Sequence, residues 1–323
     1  MMLWRVLAWP LAAVGVVALA LAAMLAQPVQ SPPPLESIHA GAMAIPHEGK
    51  PEPSRFQARD GTWLAYRLYP AADGGHAQLA IVYHGSSASS DEMNATALAL
   101  AKAGFVAVAV DTRGHGASGS RGDIGYVGQL EDDLADLVAH LRVDYAAARL
   151  TLVGHSSGGG FVLRAAAAPV GASFDRFVLL APYLGYRAPT NRPSEGPGLW
   201  AAPDIPRIVA LTILGRFGLD WAQSLPAIAF ANRPEAAMAT VSRYSYRLLI
   251  DYGPPQDWQG ALKNAASKIE LIAGLDDALM DAEAYQRAVA PLGPRVTLLP
   301  GVDHMGIVYK PSALDAIVEA ARR

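Results

Sequence analysis

An α/β fold, a mostly parallel central sheet flanked by helices, is what these 323 residues predict. Three observations carry that expectation. Short apolar runs rich in β-branched residues recur from Leu79 to Leu299; they end in turn residues, and amphipathic helical patterns stand between them. Apolar residues make up 52% of the chain and charged ones only 17%, enough to bury a large core and too little charge for a disordered chain.

The N-terminus comes first. Val6 to Ala26 is 21 residues without a charge, and a helix of that length rises about 30 Å, the thickness of a bilayer's hydrocarbon core. Arg5 precedes the run and no further cation follows until Lys50, so residues 1–27 are expected to be a single-pass transmembrane helix with the rest on the non-cytoplasmic side. Ala20-Leu21-Ala22 is a small-x-small exit, so cleavage as a signal, giving a secreted protein, is the competing expectation. Residues 28–55 hold Pro28, Pro32, Pro33, Pro34, Pro46, Pro51 and Pro53, which predict a proline-rich linker.

Periodic structure begins near Phe56. Leu79–Tyr83, Phe105–Val110, Leu150–Val153, Phe177–Leu180, Ile269–Ala273 and Val296–Leu299 read as strands buried on both faces. Between them, Val127, Leu130, Leu134, Leu137, Val138 and Leu141 form one helical face, opposite Glu131, Asp132, Asp133 and Asp136. The rhythm breaks once. Residues 183–262 separate two strands where a single helix would suffice. Prolines 189, 193, 197, 203 and 206, with apolar helical pieces around Ile208–Trp221 and Leu225–Ala231, predict a lid inserted into a core formed by 56–182 and 263–323.

Composition removes several functions. A formal charge of −3 with no Lys/Arg cluster excludes a nucleic-acid partner. No cysteine means no disulfide, no thiolate metal site and no cysteine nucleophile. No H-E-x-x-H, G-x-G-x-x-G or P-loop occurs, so neither metal nor cofactor is implied.

Chemistry enters at Gly154-His155-Ser156-Ser157-Gly158, between the run Leu150–Val153 and the helical stretch Phe161–Ala168. A serine hydroxyl is a weak nucleophile, so it must stand on a tight strand-to-helix turn within reach of a base. Glycines flank it because neighbouring backbone leaves no room for a Cβ. In such a site the chain order is serine, acid, histidine, and of eight histidines only His304 follows Ser156. The acid should stand at a strand end between them. Asp276 and Asp277 both follow Ile269–Ala273, and adjacent side chains point different ways, so one of the two should reach His304. Two backbone N–H groups should hold the oxyanion: that of Ser157, and that of Ser86 in His84-Gly85-Ser86 after Leu79–Tyr83.

His84-Gly85, Asp111-Thr112-Arg113-Gly114-His115-Gly116-Ala117-Ser118, Gly154–Gly158, Gly274-Leu275-Asp276-Asp277 and His304 occur in the order seen in α/β-hydrolases. Over residues 56–323 the chain resembles the branch that holds monoacylglycerol lipases, lysophospholipases and serine aminopeptidase-like hydrolases. The resemblance implies the α/β-hydrolase fold, selects Asp277 as the acid, and gives Asp111–Ser118 a structural role beneath the site. It implies a serine hydrolase acting on a small-molecule or lipid carboxylic ester, such as a monoacylglycerol or lysophospholipid. An acyltransferase or peptidase on the same residues, or a binding module that has lost its chemistry, are the alternatives. Two departures stand out: the oxyanion segment reads His-Gly-Ser-Ser where the branch has His-Gly-x-Gly, and the lid carries no substrate-diagnostic pattern.

Overall fold

A computed structural model describes residues 2–192, 199–233, 235 and 240–323, and the side chains of all of these except residues 2–11. Its centre is an eight-stranded sheet. Strands β1 (Ser54–Gln57) and β2 (Trp63–Tyr69) form an antiparallel edge, and β2 continues antiparallel onto β4 (Val106–Val110). From there β3 (Gln78–Tyr83), β5 (Arg149–His155), β6 (Arg176–Leu180), β10 (Ile269–Gly274) and β11 (Arg295–Leu299) run parallel, in the order β4-β3-β5-β6-β10-β11. The apolar runs dictate this: Ala80, Ile81, Val82, Leu152 and Val153 are wholly buried, as strands covered on both faces must be.

Helices α3 (Asn94–Lys102), α4 (Gln129–Leu141), α5 (Ser157–Ala167), α8 (Trp258–Asn264), α9 (Ala282–Ala288) and α10 (Pro311–Arg322) flank the sheet. Between β3 and β5 the chain order reverses, leaving a crevice at their carboxyl ends where such sheets hold ligands. In α4, Leu130, Leu134, Leu137, Val138 and Leu141 are buried as their spacing predicts. Asp133, expected on the solvent face, is buried as well: at 100° per residue it lies beside the apolar stripe, where the Arg113 guanidinium meets it at 2.6 Å.

The segment 183–262 corrects one expectation. Ile205–Arg216 forms helix α6, but Leu225–Ala231 is not helical; Pro226–Phe230 is strand β8, paired antiparallel with β7 (Ala201–Pro203) and β9 (Arg243–Ser245), followed by α7 (Tyr246–Asp251). An apolar run of five residues carries no periodicity that separates strand from helix, and pairing decides it. Pro193 and Pro197 lie outside the described residues.

The N-terminal expectation also changes. Among the described residues no helix is long and apolar enough to cross a membrane. Helix α1 spans Met2–Ala26, with side chains described from residue 12. The first part of the expected span lies outside the residues with described side chains. The end of α1 docks on α6: Arg207 donates to the carbonyl of Leu25 at 2.7 Å and to that of Gln27. Residues 28–55 carry a further helix, α2 (Glu36–Met43), whose Ile38 is buried together with the following Ile45. Gly41 on α2 abuts Met305 so closely that a Cβ there would lie 2.5 Å from the Met305 Cβ.

Candidate active site

The turn from β5 into α5 is bent hard. Ser156 takes φ 53° and ψ −115°, a left-handed backbone that costs a non-glycine residue on the order of 1–3 kcal/mol. Its N–H donates to Leu180 O at 2.9 Å, and its carbonyl accepts from Gly160 and Tyr183. The flanking glycines are steric necessities. A Cβ on Gly154 would sit 2.3 Å from the Gly158 carbonyl oxygen, and one on Gly158 would sit 2.3 Å from that of His84. The nucleophile turn therefore rests directly on the loop after β3.

His304, on the loop after β11, lies beside this turn. Its ring is 4.8 Å from that of His155, centroid to centroid, and its carbonyl oxygen is 3.0 Å from His155 Nε2. His304 Nδ1 meets Asp277 Oδ2 at 2.7 Å, and Asp277 Oδ1 accepts from the N–H groups of Leu279 and Met280 at 2.7 and 2.8 Å. Asp276 is exposed, and among the described residues only its N–H makes a hydrogen bond, donating to Val302 O. Of the adjacent aspartates, the structure brings Asp277 to the imidazole.

The electrostatics of the pair follow from burial and proximity. Burial alone would push the Asp277 carboxyl up, but the adjacent His304 and the two backbone donors outweigh it and hold the group below its ordinary range. Burial likewise lowers His304, and the Asp277 charge and hydrogen bond overcome that, raising it above its ordinary value. With Nδ1 committed to Asp277, Nε2 is the ring atom left to exchange a proton. Among the described residues no hydrogen bond joins Ser156 Oγ to the imidazole.

Ser86 and Ser157 stand on either side of the crevice, both partly buried. Among the described residues neither backbone N–H has a hydrogen-bond partner, and the Ser157 N–H also opens α5, where the helix dipole favours negative charge. Two donors without partners beside a strained serine can receive a developing oxyanion.

Beneath lies a polar brace. His84 Nε2 accepts from Thr112 N–H at 3.3 Å while Nδ1 donates to Gly85 O at 2.7 Å, and burial lowers the affinity of this ring for a second proton. Asp111 accepts from Ser90 N–H and Ala117 N–H, and Arg113 bridges Asp133 and Asp60. These bonds tie Asp111–Ser118 to the loop that carries Ser86.

Several contacts at the site have no sequence signal. Trp200 Nε1 donates to Ser86 Oγ at 2.8 Å, Ser87 N–H donates to Tyr244 Oη at 2.5 Å, and Glu92 is bonded to His155. All three join residues far apart in the chain, through side chains in no recurring pattern.

Comparison with known proteins speaks to the family and the fold. The model of the family described as "Serine aminopeptidase, S33" matches residues 75–247. The non-heme haloperoxidase of Rhodococcus erythropolis is 31% identical over 179 residues, covering 55% of this chain and 61% of that protein. The bifunctional esterase/perhydrolase DCH of Acinetobacter calcoaceticus is 38% identical over 104 residues, 32% of this chain and 35% of that one. The chain thus spans less than two thirds of the length of either curated relative. A soluble variant of monoglyceride lipase from Saccharomyces cerevisiae, solved with a substrate analogue, superposes with a TM-score of 0.59 at 16% identity, covering 85% of this chain and 95% of that one, a likeness of fold.

Proposed function

Because this chain belongs to the serine aminopeptidase S33 family and is an esterase- or lipase-like serine hydrolase, we propose that it cleaves a lipid-like carboxylic ester through Ser156, His304 and Asp277. What supports the reading most is the buried 2.7 Å bond between Asp277 and His304, beside a serine held in a strained turn. Ser156 Oγ attacks the ester carbonyl and gives its proton to His304 Nε2. The Ser86 and Ser157 N–H groups take the oxyanion, and His304 returns the proton to the leaving alcohol. Water, deprotonated by the same imidazole, then releases the acid from the acyl-enzyme.

Residues 183–262 act as a lid over a core made of 56–182 and 263–323. Support comes from Trp200, which reaches Ser86 and packs on Phe230 with ring centroids 5.9 Å apart, giving the site an apolar cover suited to an acyl chain. A place at a lipid surface, on the non-cytoplasmic side, goes with this substrate: Val14, Val16, Val17 and Leu19 of α1 are all more than half exposed. The test is hydrolysis of p-nitrophenyl esters from short to long acyl chains by the wild type and Ser156→Ala. The variant should lose several orders of magnitude in kcat. Activity near wild type would assign the chemistry to another residue.

A further inference from the structure

A second acid–imidazole pair lies beside the first, and no step above gives it work. Glu92 belongs to a short 3-10 turn, Ser90–Met93, that follows the loop of Ser86. Its side chain is 8% exposed and that of His155 1%. One oxygen, Oε1, accepts from Gly85 N–H at 2.7 Å and meets His155 Nδ1 at 2.8 Å. On the far side of the ring, His155 Nε2 is 3.0 Å from the His304 carbonyl oxygen. A carbonyl can only accept, so Nε2 carries a proton and donates it.

One carboxylate and one ring thereby connect three points of main chain: Gly85, which precedes the Ser86 donor; His155, which precedes Ser156; and His304 itself. Burying a carboxylate costs several kcal/mol unless its bonds are satisfied. Here burial opposes the charge, yet the adjacent His155 and the other donors prevail and hold the Glu92 carboxyl below its ordinary range. Its hydrogen bonds to Gly85 and His155 go to segments that carry the site. Placement matters because oxyanion donors act only within about 2.7–3.1 Å of the developing charge, and an error of about 1 Å can cost 100-fold.

We propose that Glu92, acting through His155, is a positioning residue that sets the separation between the oxyanion donors and the His304 imidazole. The proposal rests on the hydrolase reading above. It is tested on the full chain with an alkyl fluorophosphonate, which Ser156 attacks with loss of fluoride and which needs no knowledge of the substrate. Glu92→Gln should be labelled roughly 10- to 100-fold more slowly than wild type at nearly unchanged Tm. His155→Gln, which keeps an amide donor toward His304, should slow labelling to the same degree, and the double variant no further, since both act through one connection. With p-nitrophenyl acetate the loss should fall on kcat, with KM within about twofold. Labelling of the folded variants at the wild-type rate, or slowing that only follows lost fold, would overturn the proposal and leave the hydrolase reading standing. Failure of the wild type to label would overturn that reading, and this proposal with it.

Discussion

Asp277 and His304 meet on loops that leave adjacent parallel strands, β10 and β11, joined by a 2.7 Å bond with further donors behind the carboxylate. The cover over the same site is attached differently. Trp200 reaches it through a neutral hydrogen bond to Ser86 Oγ, Tyr244, Val241 and Asn232 through neutral bonds to Ser87, and α2 through the packing of Gly41 on Met305. A bond between buried charged groups resists displacement more than a neutral one, which is worth about 0.5–1.5 kcal/mol net. On the proposed reading the difference separates two properties: the floor would set the rate of bond cleavage, and the cover which substrate reaches it.

That separation can be broken from the floor upward. Asp277→Asn should cut kcat by about 10³- to 10⁴-fold by leaving His304 in the wrong tautomer, while Asp276→Asn stays within about twofold. Equal losses in both, measured by steady-state kinetics, would contradict the single bond seen here. The pH profile is the next largest effect. His304 must be neutral to accept the Ser156 proton, and its proton affinity is raised, so kcat/KM should fall with decreasing pH through a midpoint above the ordinary histidine value of 6.5. Stability runs the other way for this residue. A raised histidine stabilises the fold fully below its unfolded value and stops doing so as pH rises through the folded one. Asp277, depressed, stabilises above its unfolded value of 3.8 and loses that contribution as pH falls through the folded one, so the pair stabilises most between 3.8 and 6.5 in thermal melts.

The cover should respond more gently. Gly41→Val would drive a side chain into Met305, next to His304, at a cost of about 1–3 kcal/mol. A Tm lower by several degrees is expected, with KM raised more than kcat is lowered. No change in Tm would mean that α2 is a loose strap. Trp200→Phe is the smallest step. It removes the bond to Ser86 Oγ, worth about 0.5–1.5 kcal/mol, and should shift acyl-chain preference severalfold with kcat on a short ester nearly constant.

What the chain discloses in advance divides along the same line. Buried parallel strands are apolar on both faces, so Leu79–Tyr83 and Ile269–Ala273 are legible as continuous runs. Chain order alone singles out His304, and the Gly-x-Ser-x-Gly spacing singles out Ser156, because both are local signals. Strand β1 is short and mostly exposed, and its neighbour β2 mixes buried and partly buried positions, so neither leaves such a trace. Pro226–Phe230 reads as helix or strand equally well until β7 and β9 pair with it. The seat of α2 is hidden by prolines that suggest extended chain, and Glu92 is 63 residues from the ring it holds, a link that exists only after folding.

The closeness of Gly158 to the His84 carbonyl has one more consequence. With no slack for even a methyl group between helix and loop, neither can drift during evolution without carrying the other. If residues 183–262 are the lid proposed above, new substrates would be acquired by exchanging that lid over a foundation inherited whole, and libraries meant to retarget the protein are best confined to it.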